Sequence, residues 1–231
     1  REHQKAALEK LGPCLVQYFG LGEVTGNITA LPPHLHEIAD GPGVRIGTCG
    51  VARTGIQIEI QDDSGRALPA YENGEICVIG PAVFNGYYRN DAANEAAFRN
   101  GWFRTGDIGH FDDAGFLYIT GRASDMFISG GSNIYPLEIE EKLVACPSVV
   151  EACVVGMDDE KWGEIGVAAL VLEPGAVLDV PALKATLAER LAGYKIPKRF
   201  EVFDALPKSG YGKVTKALVR DALQRRMADG G

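Results

Sequence analysis

The spacing of apolar residues changes character near Arg122, which constrains the chain to two differently built units. Upstream, Ile56, Ile58 and Ile60 alternate with Gln57, Glu59 and Gln61, the period of a half-buried strand. Asp62–Gly65 is a turn signal, Glu75–Ile79 reads as a further strand, and Phe111–Ile119 reads as a hairpin turning at Asp112–Gly115. Short strands in succession predict a small antiparallel barrel or sheet over roughly residues 45–121. Before it, residues 2–11 suit the last turns of a helix closed by Gly12 and Pro13, and Leu15–Tyr18 suits a buried strand. Pro32 to Gly50 reads as a Pro- and Gly-rich loop.

Downstream the texture is mixed. Pro136 suits the start of a helix, and Val149–Gly156 and Val167–Leu172 suit strands. Asp179 is placed to cap a helix carrying Leu183, Leu187 and Leu191 on one face. Phe200–Phe203 suits a short strand, and a polar helix is expected from Lys213 to about Met227. The predicted fold class is therefore mixed α+β: a β-rich, barrel-like subdomain over residues 1–122, then an α+β domain over residues 123–231.

Composition narrows the classes. A chain of 231 residues with 46% hydrophobic content builds a packed core rather than staying disordered. A formal charge of -8 argues against nucleic acid as a partner. Five cysteines, with no C-x-x-C pair, predict buried free thiols in a reducing cytoplasm. His34 and His36 lie close together after Pro32 and Pro33, in a loop that lacks metal-ligand spacing. No apolar run approaches the ~20 residues that span a bilayer, and residues 1–11 are too polar for a signal peptide at this end. The chain starts at Arg1 and enters a motif by residue 18, so an upstream portion of the same protein is expected.

Three segments carry candidate chemistry. In Phe103-Arg104-Thr105-Gly106-Asp107, a carboxylate beside a glycine suits the paired hydroxyls of a ribose, and equally suits a capped turn. Gly121–Glu140 contains Arg122, a fixed cation with five donors, and the pair Gly130-Gly131, which permits close backbone approach to a ligand. Arg122 suits nucleotide oxygens or a surface pair with Asp125. In Pro207–Lys213, a lysine in a glycine-flanked loop suits charge developing on reacting oxygens, or a solvated helix start.

These segments, in this order, resemble the motif series of the acyl-adenylate-forming superfamily, which includes acyl-CoA synthetases, adenylation domains and beetle luciferases. Phe19-Gly20-Leu21-Gly22-Glu23 resembles its Tyr-Gly-x-Thr-Glu motif. Gly74-Glu75-Ile76, Gly80 and Gly86-Tyr87-Tyr88 resemble the next, and Phe103–Asp107 resembles Tyr-Arg-Thr-Gly-Asp. Gly121–Glu140 resembles the segment joining the family's two domains. Tyr194-Lys195-Ile196-Pro197 and Pro207–Lys213 resemble its last two motifs.

The resemblance implies an ATP-dependent carboxylic acid–CoA ligase, with a fatty acid the expected substrate and ATP, Mg²⁺ and coenzyme A as its reactants and cofactor. Phe19 would lie against the adenine, Asp107 at the ribose hydroxyls, and Gly20, Ile119 and Arg122 at the nucleotide. Glu23 would be the Mg²⁺-linked carboxylate, and Lys213 would stabilise the adenylation transition state. Gly130 and Gly131 would line the CoA tunnel, and Ser124 would be the hinge about which the C-terminal lid turns between half-reactions. Two positions depart from the pattern: Gly22 replaces the usual Thr, and Ser124 replaces the usual Asp or Lys. The family's Ser/Thr/Gly-rich phosphate loop and most of its acyl pocket would lie upstream, so the isolated chain is expected to be inactive. Two further readings are an adenylation domain loading a carrier protein and a non-catalytic lid fragment.

Overall fold

The structure, a computed structural model, describes residues 2–38 and 44–229. Part of the Pro32–Gly50 loop therefore lies outside the described residues. The chain divides into two compact units, Arg1–Ala123 and Ser124–Gly231.

In the first unit, α1 (Glu2–Leu11) stops where Gly12 adopts φ 73° and its N–H closes on the Leu8 carbonyl at 2.9 Å. Three antiparallel strands follow, in the order β1 (Gln17–Leu21), β2 (Gly26–Leu31) and β3 (Val51–Ala52). The first begins at Gln17 rather than Leu15 because its partner strand ends at Leu31, opposite Gln17, and Pro32 has no N–H with which to extend the ladder. A second antiparallel sheet contains β4 (Gln57–Gln61), β5 (Gly74–Ile79), β6 (Phe98–Arg99), β7 (Trp102–Phe111) and β8 (Leu117–Arg122). Within it, β7 pairs with β5, β6 and β8, and its ladder to β8 shifts register at Ile108/Gly109. A short helix that the apolar spacing did not announce, α2 (Asp91–Ala97), precedes β6; the Asn90 side chain caps it by accepting the Ala93 N–H at 3.2 Å. Ile56, Ile60, Ile76, Val78, Phe103 and Leu117 form the buried centre of this unit.

The second unit opens with a hairpin missed by the periodicity, β9 (Phe127–Ser129) and β10 (Ser132–Ile134). It continues as α3 (Pro136–Val144), β11 (Val149–Asp159), β12 (Gly163–Leu172), α4 (Val180–Ala188), β13 (Arg199–Val202) and α5 (Lys216–Asp229). Its sheet runs β10-β9-β12-β11, with β13 parallel to β12. The two long strands are buried on both faces, which is why they read as continuous apolar runs. Val154, Ala168 and Leu170 pack with Ile139, Leu143, Leu183 and Leu187 of α3 and α4. The alternate residues, Val155, Val167 and Ala169, pack with Val219 and Leu223 of α5. That last helix starts at Lys216, three residues later than expected, because Thr215 caps it: its hydroxyl accepts the Leu218 N–H at 3.4 Å. The fold is mixed α+β, as the periodicity predicts. Four cysteines are buried free thiols, whereas Cys14 is exposed, a correction to the expectation for all five. No helix among the described residues is long and apolar enough to cross a membrane.

Candidate active site

In the first unit, β1 carries Phe19 and Gly20. Phe19 is half-buried against the core and its N–H donates to the Thr29 hydroxyl at 3.3 Å. Gly20 is explained by the sheet itself: a Cβ there would stand 1.5 Å from the Gly26 carbonyl oxygen of β2. Glu23 lies half-buried on the one-turn 3-10 helix Gly22–Val24 that follows. The Tyr87 hydroxyl donates to its Oε1 at 3.0 Å. Burial first, and then the Glu23 carboxylate, raise the Tyr87 pKa, so the phenol keeps its proton. No three His, Cys, Asp or Glu side chains converge on a metal-sized site among the described residues.

Asp107 and Arg122 face each other in register on β7 and β8. The Arg122 Nε donates to Asp107 Oδ1 at 2.9 Å, so Arg122 pairs with Asp107 rather than with Asp125. The pair is lopsided: the Asp107 side chain is 6% exposed and the Arg122 side chain 57%. A fixed, nearly buried carboxylate thus sits behind a guanidinium that still meets solvent. Ile119, on β8, is half-buried against the core opposite Gly109. Ser124 is exposed, its hydroxyl 3.3 Å from Asp125 Oδ1, and the boundary between the units falls immediately before it.

In the second unit, Gly130 and Gly131 are the two turn residues of the β9–β10 hairpin, with φ 56° and 80°. Positive φ at both positions is the turn geometry that a tight hairpin requires, so the fold already accounts for both glycines. Gly130 has a second constraint, since a Cβ would approach the Trp162 ring to 2.9 Å. It also lines a cavity of about 280 Å³ with Ser129, Ser132, Trp162, Tyr194 and Lys198. The Lys198 and Lys161 ammonium groups lie 5.6 and 5.3 Å from the Trp162 ring centroid. An aromatic face flanked by cations suits a flat, anionic ligand. The sequence signal for this cavity is a tryptophan standing in the polar turn between two apolar strands.

Lys213 stands at the base of a tight turn. Ser209 organises it: the Gly212 N–H donates to the Ser209 carbonyl and the Ser209 N–H to the Lys213 carbonyl, both at 2.8 Å. The Lys213 N–H reaches the Ser209 hydroxyl at 3.3 Å. The side chain is exposed, in contrast to Lys195, which pairs with Glu138 at 2.6 Å, and Lys216, which pairs with Glu140.

The sequence profile of the AMP-binding enzyme family matches residues 1–88, and that of the AMP-binding enzyme C-terminal domain matches residues 138–213. This chain belongs to the AMP-binding enzyme family. Among its relatives in the family, a 2-succinylbenzoate–CoA ligase of Bacillus velezensis is 44% identical over 87% of this chain and 39% of its own length. A medium/long-chain-fatty-acid–CoA ligase of Mycobacterium tuberculosis is 38% identical over 93% of this chain and 38% of its own length. The o-succinylbenzoate CoA synthetase of Bacillus subtilis, solved with its acyl-adenylate intermediate, superposes with a TM-score of 0.82 at 39% identity, covering 95% of this chain and 43% of that one. The same enzyme has been solved with ATP and magnesium ion. The chain thus spans about two fifths of the length of the relatives it matches.

Proposed function

We propose that the protein containing this chain activates a carboxylic acid with ATP and passes the acyl group to coenzyme A. In the first half-reaction a carboxylate oxygen attacks the α-phosphorus and pyrophosphate leaves. In the second, the CoA thiolate attacks the acyl carbonyl and AMP leaves. The observation that carries this reading is that two relatives, 44% and 38% identical across most of this chain, are named for chemically different acids and are both CoA ligases. The thiol acceptor is common to them and the acid is not, which fits an acyl pocket built mainly elsewhere in the protein. A fatty acid, the narrower expectation, stands beside an aromatic acid within this proposal.

The roles follow from the side chains. Asp107, fixed in place by its ion pair with Arg122, accepts the ribose hydroxyls, while the exposed part of Arg122 meets nucleotide oxygens. Phe19 and Ile119 give the nucleotide apolar contacts. Glu23 supplies a single hard carboxylate oxygen, the donor suited to Mg²⁺ that arrives on phosphates, where the ion offsets charge on the triphosphate. The lysine of the Ser209 turn meets the α-phosphate during adenylation, because its amine is exposed at the end of an ordered turn. The cavity beside Gly130 and Trp162 receives the thiol substrate, with Ser124 absorbing the turn of the second unit between half-reactions.

The test uses the whole protein and a panel of aromatic and fatty acids. ATP–pyrophosphate exchange is expected with at least one acid, with thioester forming once CoA is added. Lys213→Ala should slow exchange by roughly 10²–10³ and leave thioester formation from pre-formed acyl-adenylate near the unmutated rate. Exchange with no acid, or equal loss of both half-reactions, would overturn the reading.

A further inference from the structure

We infer that Tyr87 is a positioning residue for Glu23, fixing one oxygen of its carboxylate so that the other is presented to a divalent cation carried on ATP. The inference rests on the reading of Glu23 given above.

Glu23 belongs to a one-turn helix and is only half-buried, so without a partner its carboxylate would sample several rotamers. The Tyr87 hydroxyl removes that freedom, donating to Oε1 at 3.0 Å from a residue 64 positions away. Tyr87 is itself held on three sides. Its backbone N–H donates to the Asn94 side-chain oxygen at 2.6 Å, and the Asn94 amide nitrogen donates back to the Tyr87 carbonyl at 3.0 Å. Its ring meets Phe84 edge-on, with centroids 4.8 Å apart and planes at 71°. Phe84 closes the circuit, because its N–H donates to the backbone carbonyl of Glu23 at 2.7 Å. Nearby, the Thr25 hydroxyl donates to the Ala82 carbonyl at 2.9 Å. The segment from Ala82 to Tyr87 is therefore tied to the Glu23 turn by two backbone carbonyls and one carboxylate, and Asn94 of α2 anchors the arrangement from behind.

A glutamate that is merely solvated does not need such a frame. A carboxylate that must meet a hard cation in one geometry does, and groups that hydrogen-bond a ligating side chain usually govern metal affinity about tenfold or more. Oε1 is engaged by Tyr87, which leaves Oε2 as the oxygen for the cation.

The experiment measures ATP binding by the whole protein, in Mg²⁺ and in EDTA, for the unmutated enzyme, Tyr87→Phe, Glu23→Gln and the double variant. Tyr87→Phe keeps the ring against Phe84 and both Asn94 bonds, so its thermal midpoint should match that of the parent. It should weaken ATP binding about tenfold in Mg²⁺ and leave binding in EDTA unchanged. The double variant should bind no worse than Glu23→Gln alone, since both changes act through one carboxylate. Equal weakening of Tyr87→Phe in Mg²⁺ and EDTA, or full additivity of the two changes, overturns the inference. If Glu23→Gln removes the metal dependence and Tyr87→Phe does not, the inference falls and the reading of Glu23 stands. If Glu23→Gln leaves the metal dependence intact, both fall.

Discussion

A Cβ at Gly22 would meet no atom within 4 Å, although the family pattern has a threonine at this position. Steric crowding therefore does not explain the glycine, and the structure offers no other reason for it. Gly22→Thr should leave the thermal midpoint unchanged. In the whole protein it should tighten ATP binding by roughly threefold, the worth of one modest hydrogen bond to phosphate. Titration of ATP would show this, and no gain would mean that the phosphates lie out of the hydroxyl's reach. The residues read from sequence as candidate chemistry were legible by type and order, but their neighbours were not. Arg122 offered two partners, Asp125 three positions away and nucleotide oxygens, and the structure supplies a third, Asp107, from across a strand pair. Local sequence cannot reveal a register. Nor could it reveal that Gly20 is required by the approach of β2, a constraint that imitates a ligand-binding glycine.

At the level of elements, the strongest prediction concerns α5. Leu223 is fully buried against the sheet face formed by Val155, Val167 and Ala169. Leu223→Ala should cost about 2–5 kcal/mol, read as a lower urea midpoint with an unchanged slope. A loss below about 1 kcal/mol would mean that the helix is loosely seated and relaxes into the space. The turn bearing Lys213 leads directly into this helix, through the bridge between Lys208 and Val214 and the Thr215 cap. A well-seated α5 therefore sets where that lysine starts. Long strands and capped helices were legible because apolar period and cap chemistry agree over many residues: Asp179 does accept the Ala182 N–H, at 3.0 Å. The start of α5 is not legible in the sequence because Lys213 belongs to a turn held by Ser209, and a side-chain hydroxyl bonding to backbone leaves no periodic trace. The β9–β10 hairpin was missed for a related reason, since three-residue strands are too short to show alternation.

For the molecule as a whole, thiol chemistry separates surface from interior. Burial pushes the Cys49, Cys77 and Cys153 thiols up to about 11. Near neutral pH, only Cys14 of this chain should react quickly with an aromatic disulfide reagent, and all five should react after denaturation. Rapid reaction of a second thiol in the folded chain would contradict the packing described. The same shifts fix a sign for alkaline stability. Unfolded thiols lose protons near pH 9 while the buried ones hold theirs to about 11, so stability should fall as pH rises through that interval. Finally, the two-sided burial of β11 and β12 has a consequence in time. Their face toward α3 is partly covered by residues already synthesised and is completed by α4 soon after, whereas the opposite face waits for α5. Synthesis proceeds at ~5–20 residues per second, so the stretch from Leu172 to Lys216 takes on the order of two to nine seconds. Until the helix arrives, a growing chain leaves Val155, Val167 and Ala169 without Val219 and Leu223, so this face of the nascent sheet is the last part of the unit to be sealed from water.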